Sequence, residues 1–178
     1  PGETLNDILK SFEKVCMLRP HELQLGFLKF LPGSPIKNLI NDYGYKYQST
    51  PPYEFIAHKD LSASQLNYLK KFEDVFDTFY NSKRFRFSIQ HLLKKLSAVE
   101  VFNSLLDHME AKNLFYQSHS LNTQYKIIHD TFFLGGDSTT LDILRMDYLY
   151  SQRVYHLPKF LGIEGTRQKT WAEDRKTP

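Results

Sequence analysis

The sequence predicts a mainly α-helical protein, a multi-helix domain preceded by one helix and one strand of an α/β unit. Two capping boxes support the helices, at residues 62–65 and 97–100, because Ser at a helix start and Gln or Glu three residues later satisfy free backbone amides there. The first box is followed by apolar residues at helical spacing, which give the helix a face to bury. The strand is predicted from Leu23, Leu25 and Phe27, which alternate with other residues.

The composition is that of an ordinary globular protein. Of 178 residues, 41% are hydrophobic and 24% charged, which is enough apolar material for one substantial core. The 14 Phe and 11 Tyr indicate a packed core or an interface, because large rings remove much apolar area from water. A formal net charge of +3 is too slight to indicate a polyanionic partner.

Cysteine and histidine usage argues against a metal site within this chain. The single cysteine, Cys16, excludes a disulfide framework and a thiolate cluster for zinc or iron, and it fits a reducing compartment. The seven His are scattered, and His119 and His129 do not share a helical face. No apolar run approaches the ~20 residues of a membrane helix, so we expect a soluble, cytoplasmic protein without a membrane partner.

The N-terminal segment predicts a helix followed by a strand. Helical spacing indicates a helix over residues 5–17, capped by Thr4 and ended before Pro20. The strand over residues 23–31 has no clear partner downstream, and a lone strand leaves its backbone groups unpaired. We therefore expect its partners upstream of this chain. Without them, we expect self-association through the open strand or a disordered N-terminal segment. The helices from residue 62 onward are expected to owe little to residues 1–31.

The rest of the chain predicts helices separated by loops. Ser34 and Pro35 begin a helix that ends at Tyr43, and two prolines keep residues 45–61 in an ordered loop with one possible short strand at residues 53–56. Further helices are predicted at residues 62–80, 85–96, 97–113 and 120–134, and from residue 137 or 138 onward. The polar residues 161–178 predict a flexible tail.

Several short segments resemble one family of proteins. The opening PGET is similar to the end of a GLPGET segment that follows a late barrel strand in radical SAM proteins. RPHELQLGFLK at residues 19–29 and PGSP at residues 32–35 look like the next strand and the GTP-like turn, here with Ser for Thr. Residues 51–54, 79–85 and 147–149 are similar to the helical C-terminal region, a domain of unknown function 4080, of cobalamin-binding radical SAM proteins.

The resemblance implies a division of the chain and a longer parent enzyme. Residues 1–35 would be the tail of a radical SAM α/β barrel, residues 36–160 a helical C-terminal domain, and residues 161–178 a tail. The parent would hold an N-terminal cobalamin domain, a [4Fe–4S] cluster on three cysteines, and S-adenosylmethionine. Because one cysteine does not hold that cluster, the resemblance implies an accessory region, inactive alone and without catalytic residues, that shapes or closes the parent's active site.

The partners implied by the resemblance are the upstream barrel and the cobalamin domain of the same polypeptide. The parent's reaction stays open between a cobalamin-dependent methyl transfer and a cyclisation like that of the anaerobic Mg-protoporphyrin monomethyl ester cyclase. Gly2, Glu3 and Thr4 would lie at the barrel mouth and contact the S-adenosylmethionine cofactor. The alternative for Glu3 is a charged residue in the first turn of a helix, favoured there by the helix dipole.

Four further residues are candidates to face the substrate. Gln24 lies on the polar face of the predicted strand, and Lys29 ends the strand, where it is equally well explained as a solvated residue. Tyr53 and Glu54 follow two prolines that would stiffen a flap beside the site, although structural packing of Tyr53 is the simpler interpretation.

The alternative function is a self-contained helical module that binds a protein or RNA. Lys83, Arg84 and Arg86 alternate with Phe85 and Phe87, a pattern able to stack bases and neutralise phosphates. Three charges make a small patch, and a helix corner with buried Phe explains the pattern as well. We therefore do not expect a nucleic-acid partner.

Overall fold

The computed structural model describes residues 2–133, 138–152 and 156–162. Helix makes up 59% of the structure and strand 6%, so the prediction of a mainly α protein is confirmed. The helices are α1 (Leu5–Met17), α2 (Ile40–Tyr43), α3 (Ala63–Phe76), α4 (Arg86–Leu92), α5 (Ala98–Ala111), α6 (Leu121–Phe132) and α7 (Ser138–Gln152). Two short strands, β1 (Lys46–Tyr47) and β2 (Phe55–Ala57), pair antiparallel.

The helix starts form as local chemistry predicts. Both predicted capping boxes are present, with the Ser62 N–H donating to Gln65 Oε1 over 2.9 Å and the Ser97 N–H to Glu100 Oε2 over 2.8 Å. After α3 the chain continues as a π-helix over Asp77–Asn81. No helix in the described residues is long and apolar enough to cross a membrane. The flexible tail expected at residues 161–178 lies, from residue 163 on, outside the described residues.

The main core is built by α1 together with α3 to α7. Its buried members include Phe12, Cys16, Phe72, Phe76, Phe79, Phe102, Leu105, Tyr125, Ile128 and Leu144. The Phe12 ring, which is 4% exposed, meets Phe72 and Phe76 edge-on at centroid distances of 4.9 and 5.1 Å. The expectation that the later helices owe little to residues 1–31 is therefore wrong, because α1 supplies part of their core.

Asp147 ties α7 to the beginning of α4. Its carboxylate, 3% exposed, accepts hydrogen bonds from the backbone N–H groups of Phe87 at 3.0 Å and Ser88 at 2.7 Å. These amides lie in the first turn of a helix, where the helix itself supplies no acceptor. Burial raises the pKa of Asp147, while the two N–H donors act in the opposite direction.

A second, smaller core surrounds the β1–β2 hairpin. Its buried members are Phe30, Tyr45, Phe55, Leu61, Leu66 and Leu69. Phe30 is fully buried and stacks on Tyr47 at a centroid distance of 4.6 Å. Because Leu66 and Leu69 belong to α3, this helix contributes buried residues to both cores.

The predicted strand at residues 23–31 forms only at its end. Lys29 makes an isolated antiparallel bridge with Glu54, and the Phe30 N–H donates to the Tyr53 carbonyl over 2.8 Å. The expectation that no partner lies downstream is thus wrong for this end of the strand. Residues 22–27 form no strand, because no neighbouring strand pairs with them within the described residues.

The two faces of residues 22–28 are nevertheless as predicted. Leu23, Leu25 and Phe27 are half-buried against the two cores, whereas Gln24 and Gly26 are exposed. This alternation is that of an extended chain with one apolar face. The division of the chain at residue 35 stays a prediction.

Candidate functional site

A groove of about 410 Å³ is lined by residues 24–28, by residues of the hairpin core and by the N-terminal residues Glu3 and Ile8. Most of its lining is apolar and includes Ile8, Phe27, Ile36, Leu66 and Leu69. Three polar side chains share it, those of Glu3, Gln24 and His58. A mainly apolar wall with a few polar groups is the usual make-up of a binding site for an organic ligand.

The structure brings together two of the predicted site residues, Glu3 and Gln24. The Gln24 amide donates to Glu22 Oε1 over 3.2 Å, which leaves its own carbonyl oxygen as a free acceptor within the described residues. Thr4, by contrast, caps α1, since its hydroxyl donates to Asp7 Oδ2 over 2.6 Å and accepts from the Asp7 N–H over 3.3 Å. Of the predicted N-terminal residues, Glu3 is the one whose side chain faces the groove.

Gly2 precedes the groove with a φ of +79°, a backbone conformation that favours glycine. It places no side chain beside a ligand. Gly2 and Thr4 therefore contribute backbone geometry and a helix cap at this position. Their contact with a cofactor stays a prediction.

The other predicted residues, Lys29, Tyr53 and Glu54, lie beside the groove and do not line it. Lys29 and Glu54 form the bridge described above, and Glu54 Oε2 pairs with Lys70 Nζ at 2.5 Å. The hydrogen bond from Lys70 holds the pKa of Glu54 below its ordinary value. Tyr53 is half-buried with a φ of +58°. A role of these three residues toward a substrate stays a prediction.

His58 is the polar groove residue that sequence reasoning missed. Its side chain is 7% exposed, and its ring stacks on Phe55 at a centroid distance of 5.4 Å. Burial lowers the pKa of the imidazole, partly offset by Asp60, which favours the neutral ring. Nδ1 accepts the Asp60 N–H over 3.0 Å, which puts the imidazole proton on Nε2. His58 therefore brings one neutral N–H donor to the groove.

The groove combines hydrogen-bonding groups with an apolar wall, as ligand-binding surfaces do. Glu3 offers a carboxylate, Gln24 a carbonyl oxygen and His58 an N–H, all beside an apolar wall. Within the described residues no group of three or more His, Cys, Asp or Glu side chains is arranged to hold a metal ion.

The residues present do not fit an iron–sulfur cluster. Such a cluster is held by thiolates, and this chain has one cysteine, Cys16. Cys16 is 3% exposed in the main core, and burial, with a smaller contribution from Glu13, raises its pKa to about 12. It is therefore a neutral core thiol, not a metal ligand.

Comparison with known proteins gives one match. A family model described as "Protein of unknown function (DUF4080)" matches residues 41–176. No curated protein and no solved structure matches the chain. The matched region includes the hairpin and helices α3 to α7, whereas α1 and the groove-lining residues 24–28 precede it.

Proposed function

The chain belongs to the DUF4080 family of proteins of unknown function, and we propose that it is the C-terminal accessory region of a cobalamin-dependent radical SAM enzyme. In this role it shapes or closes the active site of a longer polypeptide and is inactive alone. Two things support the proposal: the resemblance of residues 1–35 to the tail of a radical SAM barrel, and an unpaired stretch of backbone at residues 24–27.

The unpaired stretch is fixed at both ends and open between them. At one end the Asn81 side-chain amide takes the place of a neighbouring strand, since Oδ1 accepts the Leu23 N–H over 3.2 Å and Nδ2 donates to the Leu23 carbonyl over 2.9 Å. At the other end the Leu28 carbonyl accepts the Phe55 N–H over 3.0 Å. Between these anchors the backbone amides and carbonyls of residues 24–27 have no partner within the described residues.

Such an edge is a template for strand addition, because its backbone donors and acceptors are unpaired within the described residues. The neighbouring strand of an upstream barrel would fill this position. The apolar face of the stretch already packs on the helical cores. The opposite face, with Gln24 and Gly26, is exposed and remains accessible to the upstream part of the polypeptide.

A strand added here would cover the open groove, and the groove would become part of an enclosed cavity. Glu3 and Gln24 would then face that cavity, and the apolar lining would help to exclude water from it. The Glu3 carboxylate suits the ammonium or a hydroxyl group of S-adenosylmethionine, which supplies radical chemistry only when reduced by a cluster held elsewhere.

Gly26 offers a matched pair of variants to test the added strand. A Cβ at Gly26 would have no heavy atom within 4 Å, and Gly26 has no positive φ, so Ala has room there. Gly26→Pro removes the backbone N–H from the edge, whereas Gly26→Ala keeps it. Association of the chain with the separately produced upstream part of its polypeptide is measured by calorimetry.

We expect Gly26→Ala to associate like the wild type and Gly26→Pro to bind at least about tenfold more weakly, as for loss of edge hydrogen bonds. Equal binding by the two variants would show that the edge is not the contact. Light scattering of the chain alone tests whether the edge instead pairs with a second copy of the chain. A dimer that Gly26→Pro dissociates would assign the edge to a second copy and contradict the accessory role.

A further inference from the structure

We propose that a cavity between the end of α1, the π-helix and α4 binds a phosphate monoester with a small apolar or aromatic body. The cavity measures about 300 Å³ and shares no lining residue with the groove. Its polar lining includes Arg19, His21, Lys83 and Arg86, and its apolar lining includes Phe79, Ile89 and Leu93. The described residues that line it include no carboxylate.

Within the described residues, the three permanent cations of the cavity, Arg19, Lys83 and Arg86, form no ion pair. The ion pairs that Lys and Arg form in the described residues lie elsewhere, at Lys70, Lys71, Lys126 and Arg145. Asp77, in the adjoining π-helix, accepts a hydrogen bond from the Asn81 side chain. Guanidinium groups bind phosphate oxygens with two parallel hydrogen bonds, and an ammonium group adds a point charge. A site with three cations suits a doubly charged phosphate monoester better than it suits a singly charged carboxylate ligand.

Three irregular pieces of backbone meet at this cavity. Arg19 has a φ of +50° and Lys83 a φ of +63°, a region that residues with a Cβ rarely adopt. Between them along the chain, the π-helix is closed by a 3.0 Å hydrogen bond from the Ser82 N–H to the Asp77 carbonyl. Strained residues and π-helical turns concentrate at functional sites, and both kinds line or adjoin this one cavity.

The wall of the cavity is preformed. The Tyr80 hydroxyl donates to the Pro20 carbonyl over 2.7 Å and so joins the chain after α1 to the π-helix. The same ring stacks on Phe76 at a centroid distance of 4.7 Å, and Lys83 Nζ lies 5.0 Å from its centroid. The buried side chains of Phe79 and Ile89 give an apolar floor for the organic body of the ligand.

The proposal is tested by titrating the full chain with phenyl phosphate, inorganic phosphate and benzyl alcohol in a calorimeter. We expect phenyl phosphate to bind most tightly, because among the three compounds it alone contacts the cations and also the apolar floor. Its affinity should fall as the salt concentration rises. Arg86→Gln should weaken it about tenfold, the loss expected for a hydrogen bond to a charged group. Arg84→Gln is the control, since Arg84 instead donates to Gln124 Oε1 over 3.1 Å.

Lys83→Gly separates a binding role from a structural one. Glycine adopts a positive φ without strain, so we expect this variant to lose affinity for phenyl phosphate while its Tm stays equal or rises. The proposal is overturned if phenyl phosphate does not bind, if inorganic phosphate binds as tightly, if Arg86→Gln binds like the wild type, or if Lys83→Gly keeps full affinity.

Discussion

Glu13, in the first helix, accepts a hydrogen bond of 2.9 Å from the backbone N–H of Val99, near the beginning of α5. Its second carboxylate oxygen accepts the Ala98 N–H over 3.0 Å. With Ser97 Oγ accepting the Glu100 N–H and the Ser97 carbonyl accepting the Val101 N–H, the first turn of α5 has no unsatisfied amide. A residue of the N-terminal segment thus completes the cap of a central core helix.

Removing the Glu13 carboxylate should destabilise the fold. In Glu13→Ala the amides of Ala98 and Val99 lose their acceptor, and we expect the free energy of unfolding to fall by about 1–3 kcal/mol in urea titrations. Lys10→Ala, at an exposed position of the same helix, should stay within about 0.5 kcal/mol of the wild type. An equal effect of the two variants would mean that the cap contributes nothing.

The N-terminal segment should be required for folding. Phe12→Ala opens a cavity beside Phe72 and Phe76 and should cost about 3–5 kcal/mol, whereas Val15→Ala, 37% exposed, should cost less than about 1 kcal/mol. Deletion of residues 1–31 should abolish cooperative thermal unfolding. A deletion variant that melts as sharply as the full chain would contradict the observed packing of α1.

Cys16 should be unreactive in the folded protein. Its burial and its pKa of about 12 keep the thiolate fraction very small near neutral pH. We expect a thiol-specific chromogenic reagent to label the native chain far more slowly than the chain in denaturant, where the single thiol should titrate fully. Fast native labelling would show that α1 detaches from the core.

His58 should make stability depend on pH. Its folded pKa is lowered below the ordinary value of 6.5, so the unfolded chain binds the proton first as pH falls. The stability that the neutral ring contributes is complete above that value and is lost as pH falls from it toward the folded pKa. Urea titrations from about pH 7.5 to about pH 5 should therefore show a steeper loss for wild type than for His58→Gln. Parallel curves would contradict this account.

Local signals in the sequence were sufficient to predict the helices. The rest of the fold depends on contacts between residues that are distant along the chain. The boxes at Ser62 and Ser97 act over three residues, so their sequence spacing determines them. The partner of Phe30 is the backbone of Tyr53, across a loop whose path no local pattern predicts. The alternation at residues 23–27 predicted which face is buried, and the lack of a clear downstream partner predicted the open edge. The bridge between Lys29 and Glu54 was not predicted, because it depends on the path of that loop.

The candidate site divides in the same way. Gln24 was a candidate because its place on a strand face is a local property, and Glu3 was a candidate because the opening PGET resembles a barrel-mouth segment; both line the groove. His58 was missed because its neutral, buried state depends on Phe55 and on Asp60 as the chain turns back. The phosphate cavity was missed because Arg19 and Lys83 become neighbours only when α1 packs on the core.

The central claim, that this chain is the accessory end of a radical SAM enzyme, is tested most directly by sequencing the reading frame upstream of residue 1. A barrel and its cluster loop occupy roughly 250 residues. The account predicts a C-x-x-x-C-x-x-C segment within that distance, continuous in frame with this chain. A start codon immediately before residue 1, with no such segment in the frame, would contradict it.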